Sequence, residues 1–196
     1  MTALALSGDP PDDEDVDVRP ASEEGPHSAR YEIATLRQAR SLARVLAARF
    51  PDPERVVVGL TELLVNAVEH GNLGIGFEEK ARLLEHGDLR AEIERRLALE
   101  DLGARRVRVT FTRDADRAAA TIEDEGEGFD WAPFAEYDPE RMLESSGHGI
   151  AIARGMSFDE VSYQGKGNVV IAAVRIGADA ESGAVSGEVP TRLAMR

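Results

Sequence analysis

Glu62-Leu63-Leu64-Val65-Asn66-Ala67-Val68-Glu69-His70-Gly71 is the end of a helix too apolar for an ordinary surface element, yet it carries polar residues at regular spacing. Asp52 is a suitable N-cap, and Pro53 suits the first helical position. From there Val57, Leu60, Leu64 and Val68 cluster on one side, while Val58 and Val65 make much of the other side apolar as well. The polar remainder is one stripe of Gly59, Glu62, Asn66, Glu69 and His70, with Glu62, Asn66 and His70 at i, i+4 and i+8. Such a helix is expected to pack on both flanks, so a carboxylate and an amide on it need partners, whether protein groups or a ligand. The plain alternative is the solvated edge of an amphipathic helix. His70 fits equally well as a helix-end residue favoured by the macrodipole, with Gly71 as the glycine that stops the helix.

Two glycine loops follow downstream. The apolar strand Ala118-Ala119-Ala120-Thr121-Ile122 runs to Asp124, and Gly126 and Gly128 then let the backbone turn sharply and approach a ligand. An acid fixed there can accept the exocyclic amino hydrogen of adenine, which guanine does not offer in the same place. Gly147-His148-Gly149-Ile150 opens a short helix and would present backbone N–H groups to phosphate. Residues 130–146, with Trp131, Pro133, Tyr137, Pro139, Ser145 and Ser146, have no clear period and read as a cover. Taken singly, these loops also fit a hairpin turn and a plain helix start. Phe129 and Trp131 suit a core anchor as well as a cofactor contact.

The residue types on the helix fit one chemistry. Mg²⁺ shared with triphosphate oxygens prefers hard oxygen ligands and keeps several waters, so the neutral amide of Asn66 could complete its shell without repelling the phosphates. Glu62, one turn earlier, could take a proton from an attacking hydroxyl or water as a general base.

Around these motifs the periodicities alternate. Arg30 to Ala34 suits a short edge strand, and Thr35 with Gln38 suits a capping box that opens a helix running to about Phe50, ended by Pro51 and Pro53. Residues 106–113 and 117–124 alternate as a hairpin around Asp114-Ala115-Asp116. Gly149–Met156 reads as a short helix, and 160–164 and 168–176 as strands joined through Gly165-Lys166-Gly167. The expected fold is an α+β two-layer sandwich with helices on one face of a mixed, mostly antiparallel sheet.

Composition narrows the function classes. The chain has 196 residues, no cysteine and a net charge of −14, so thiolate zinc sites are excluded and direct binding to nucleic acid or an anionic membrane is disfavoured. No apolar run approaches the roughly 18 residues of a membrane span, and the acidic start does not resemble a signal peptide, which points to the cytoplasm. Residues 1–27 hold eight acids against Arg19 alone, interrupted by four prolines, and read as a disordered acidic tail. Residues 178–196 are small, polar and unpatterned and read as a flexible tail, leaving a domain over 28–177 with a charge of about −6.

In series, the three motifs resemble the N, G1 and G2 boxes of the GHKL (Bergerat-fold) ATPases. The small size, the single helix before the N-box helix and the ending Gly149-Ile-Ala-Ile-Ala-Arg-Gly-Met-Ser-Phe-Asp-Glu-Val-Ser-Tyr163 with Gly165-Lys-Gly-Asn168 are similar to the RsbW-like branch of anti-sigma-factor serine kinases. This resemblance implies ATP with Mg²⁺ as cofactors, Glu62 as the base and Asn66 as the metal ligand. It also implies Asp124 as the adenine anchor, Gly126, Gly128, Gly147 and Gly149 as phosphate and lid positions, and His70 and His148 beside them. It implies a protein kinase in a bacterial partner-switching pathway, with a sigma factor and a STAS-domain antagonist as partners, and leaves a homodimer open. Two other functions stay open: a nucleotide-gated binding module, and a histidine-kinase-type catalytic domain acting on a separate protein. The former draws on Ser145-Ser146, which stand where the family often has Arg before the lid glycines. The latter lacks a phosphoacceptor on helix 35–50, and His27 is a poor substitute.

Residues 73–105 form an insertion beyond what a compact member of that family needs. Phe77, Ala81 and Leu84, then Leu89, Ile93 and Leu97, space as two amphipathic helices around Gly87-Asp88, with Glu78/Arg82 and Glu92/Arg96 as i, i+4 pairs. It reads either as a solvated hairpin covering its own core edge or as a partner-binding arm presenting Arg82, Arg90 and Arg96.

Overall fold

Local signals set the first two helices. Gln38 N–H donates to Thr35 Oγ1 at 3.3 Å and Thr35 N–H donates to Gln38 Oε1 at 3.2 Å, a reciprocal box that opens α1 (Leu36–Ala47). Asp52 Oδ1 accepts from Arg55 N–H at 3.1 Å and opens α2 (Pro53–Asn66). The computed structural model describes residues 17–23, 25–131 and 149–177.

Six strands make one sheet: β1 (Ser22–Glu23), β2 (Ser28–Ile33), β3 (Val107–Arg113), β4 (Arg117–Glu123), β5 (Glu160–Gln164) and β6 (Val169–Arg175), in the order β1-β2-β3-β4-β6-β5. Every pairing among the described residues is antiparallel, so the sheet expected to be mixed stands wholly at the antiparallel end. Because side chains alternate, register decides which face is buried. Tyr31 opposes Val109, Val109 opposes Ile122 and Ile122 opposes Val170, one apolar row that continues across four strands. That face meets Leu42, Leu46, Leu60 and Leu64 of α1 and α2, while Arg30, Glu32 and Arg108 point away from the helices. Phe50 joins the layers, edge-on to Phe111 of β3 at 5.4 Å and to Phe158 at 5.9 Å.

Three further helices fill the insertion: α3 (Phe77–His86), α4 (Leu89–Leu97) and α5 (Glu100–Gly103). Gly87, at φ +76, terminates α3 in the left-handed region that favours glycine. The α4 stripe is as expected, with Ile93 buried and Leu89 and Leu97 against the core. On α3 the stripe is shifted by one residue, for Leu83 packs inward and Leu84 is exposed. Among the described residues Glu92 pairs with Arg96 at 2.6 Å, whereas the expected Glu78/Arg82 pair does not form.

The acidic segment also departs from expectation near the domain. Ser22 and Glu23, assigned by sequence to the disordered tail, pair with Arg30 and Ala29, because the free edge of β2 offers backbone partners and Gly25 at φ +73 permits the return. Gly147 and His148, nearly all of the 130–146 cover within the lid read over 125–149, and the 178–196 tail lie outside the described residues.

Candidate functional site

Helix α2 does not run to His70 as an α-helix. Over Ala67–Asn72 it widens into a π turn, in which Leu73 N–H donates to Val68 O at 2.9 Å, five residues back. The same turn makes a close approach. A Cβ at Gly71 would stand 2.3 Å from Asp124 Cγ, and a Cβ at Gly126 would stand 2.4 Å from Gly71 O, so both positions accept only glycine without rearrangement. Gly71 is therefore a contact residue rather than the left-handed stop the sequence suggests. That role passes to Gly74, at φ +65.

Asp124 is held from three sides. Its N–H donates to Asn168 O at 3.0 Å, its carbonyl accepts from Asn168 Nδ2 at 2.9 Å, and Oδ1 accepts from Gly126 N–H at 2.8 Å. Burial pushes its carboxyl up to about 6, against the opposing pull of the Gly126 N–H and Lys166. The loop behind it is clamped as well, for Lys166 Nζ donates to Gly126 O at 2.8 Å and Phe129 N–H donates to Lys166 O at 3.0 Å. Asn72 accepts from Glu125 N–H at 2.8 Å and is itself 1 % exposed. Asn72, Lys166 and Asn168 hold the site, and sequence reasoning gave none of them a role. The run Gly165-Lys-Gly-Asn168 carried the one available signal, but as a turn rather than a clamp.

Between these elements lies a cavity of about 200 Å³. Asp124, Gly71 and His70 line one end, over a floor of Ile122, Val170 and Tyr163 from the sheet. Asn66, Gly128 and Ile150 also line it. Glu62 stands one helical turn before Asn66, outside the lining, and both face α6 (Gly149–Ile152). A Cβ at Gly149 would lie 2.5 Å from Glu62 Oε2 and 3.2 Å from Asn66 Nδ2, so the glycine lets α6 close on these two side chains. Farther along, α6 passes into a second π turn (Ala153–Ser157), where Gly59 N–H donates to Ser157 Oγ at 3.1 Å. A Cβ at Gly59 would meet Ser157 Cβ at 2.5 Å, which explains a glycine inside α2.

His70 belongs to the cavity as well. Its Nδ1 lies 2.5 Å from Ile75 O, and since a carbonyl only accepts, Nδ1 carries the proton and Nε2 keeps a lone pair. Burial lowers its pKa, so the ring is neutral at physiological pH. Phe129 lines the cavity edge-on to Tyr163 at 5.3 Å, and Trp131 stacks on the same Tyr163 at 6.1 Å. Burial raises the Tyr163 phenol, which stays a donor.

The arrangement fits an adenine nucleotide with its cation. A half-buried carboxylate over an apolar floor suits an amino-bearing base at one end. Farther along, the amide oxygen of Asn66 is a hard donor suited to Mg²⁺ shared with phosphates, with the Glu62 carboxylate one turn away. The profile of the histidine kinase-like ATPase domain matches residues 28–174. No curated protein matches the chain.

Proposed function

The chain belongs to the histidine kinase-like ATPase domain family, and on that premise we propose that it is an ATP-dependent serine/threonine protein kinase. The observation that carries this is the approach of Gly149 to both Glu62 and Asn66 on α2, beside a cavity that Asn66 and Asp124 line. ATP with Mg²⁺ would supply the transferable phosphoryl group. Asn66 would hold the cation, and Asp124 would orient the base. Glu62 would take the hydroxyl proton of an incoming Ser or Thr as its oxygen bonds to the γ-phosphorus and ADP leaves.

The likeness of the boxes to anti-sigma-factor kinases suggests the acceptor, a STAS-domain antagonist, and the controlled partner, a sigma factor. A cytoplasmic setting goes with that pathway. Among the described residues no helix is long and apolar enough to cross a membrane. A histidine-kinase-type role is the weaker reading, because α1 carries no histidine to accept phosphate. A nucleotide-gated binding module draws support from Ser145-Ser146 before the lid glycines.

Glu62→Gln separates the kinase from the gated binder. The amide keeps the shape of the side chain but is too weak a base, so transfer from labelled ATP to STAS proteins should fall by about 10²–10⁴-fold with little change in ATP affinity. A wild-type protein that binds ATP and a STAS partner yet transfers no phosphate would favour the gated module.

A further inference from the structure

We propose that the α3–α4 insertion is a wall of the nucleotide pocket, and that Phe77 at its head is a binding contact for the purine face. The inference rests on the reading of the cavity as an adenine-nucleotide site. The two ends of that cavity are distinguishable. Asn66, which meets Glu62 and Gly149 just beyond the lining, marks one, while His70, Gly71 and Asp124 are contiguous at the other. Phe77 lines the cavity at the second end, its ring 4.3 Å from that of His70 and inclined to it by 31°. A purine presented to Asp124 offers a flat π face, and an aromatic wall beside it adds attraction beyond the area it buries.

The segment that carries Phe77 is fixed to the end of the site helix rather than hung from it. Ile75 N–H donates to Glu69 O at 2.9 Å, and Ile75 O accepts from the His70 ring. Lys80 of α3 pairs at 2.5 Å with Glu69, whose side chain is 4 % exposed. From α4, Arg96 donates through Nη1 to Leu73 O at 2.9 Å and through Nη2 to Glu79, and pairs with Glu92 at 2.6 Å. Arg96 is thus a buried fastener, with 14 % of its side chain exposed, and not one of the charges a partner-binding arm presents. Apart from the Arg96–Glu92 pair within α4, each of these contacts ends on residues 69–80, which frame the base end of the cavity. The insertion builds that wall, and its order and the occupancy of the pocket are linked through it.

Calorimetric titration of the full chain with Mg²⁺ and ADP tests this, with the melting temperature of each unliganded variant recorded alongside. Phe77→Ala should weaken ADP by about tenfold, and Phe77→Leu, which keeps bulk but not the aromatic face, by a smaller factor. Leu84→Ala, on the exposed side of the same helix, should leave affinity unchanged. A folded Phe77→Ala protein that binds ADP within twofold of wild type would overturn the contact. Where the alanine variant does not fold, Phe77→Leu decides by the same comparison. A wild-type chain with no affinity for ADP would instead overturn the adenine-nucleotide reading and the contact with it.

Discussion

Asp124 is costly to the fold in the form in which it would serve a ligand. Its folded pKa, about 6, lies above the ordinary 3.8, so the folded protein holds the proton more tightly than the unfolded chain does. Stability therefore falls as pH rises from about 4 through about 6, the reverse of an ion-paired carboxylate. An asparagine does not titrate and can still accept from Gly126 N–H. Asp124→Asn should then melt above wild type at pH 7.5, with the gap closing toward pH 4, while its affinity for ATP falls. Thermal scans at several pH values check the first part and calorimetry the second. An unchanged affinity would mean that the carboxylate serves packing alone. At this scale the sequence made Asp124, Asn66 and Glu62 legible through residue type and spacing. Gly71 was legible as a glycine but not in its purpose, because its contact partner lies 53 residues away in the chain.

Among the elements, the π turn at Ala67–Asn72 and the α3–α4 pair decide the shape of the pocket. Neither was fully legible, for physical reasons. The α and π forms draw on the same residue types, and the wider turn goes with the packing of Gly71 on Asp124, a contact distant in the chain. The amphipathic stripes placed α3 and α4, but the Lys80–Glu69 pair depends on how α3 folds back over the end of α2, which no periodicity encodes. That pair carries a prediction. Lys80→Met leaves the buried Glu69 carboxylate uncompensated and should cost about 3–5 kcal/mol in urea unfolding. The double variant with Glu69→Leu should recover much of the loss, since an apolar pair can replace a buried ionic one. Equal stability of wild type and Lys80→Met would show that water reaches the carboxylate in the folded state.

For the molecule as a whole, the layer order followed from signals that act locally. The Thr35–Gln38 box, the Asp52-Pro53 restart, the Asp114-Ala115-Asp116 turn and the alternation along β3, β4 and β6 all fix short pieces, and an apolar row across the sheet leaves the helices one face to cover. The clamps were less legible, because Lys166 and Asn168 gain their roles only when the sheet order brings the β5–β6 turn beside the loop after β4, and Asn72 gains its own only when the end of the site helix reaches the same loop. On the proposed reading the fold presents the half-buried Asp124 at one part of a cavity and the Asn66 amide, with Glu62 behind it, at another. Calorimetric comparison of ATP with GTP, each with Mg²⁺, tests that claim most directly. ATP should bind and GTP at least about tenfold more weakly, because Asp124 would accept an amino hydrogen that guanine lacks at that position. Equal affinities for the two, or none for either, would contradict it.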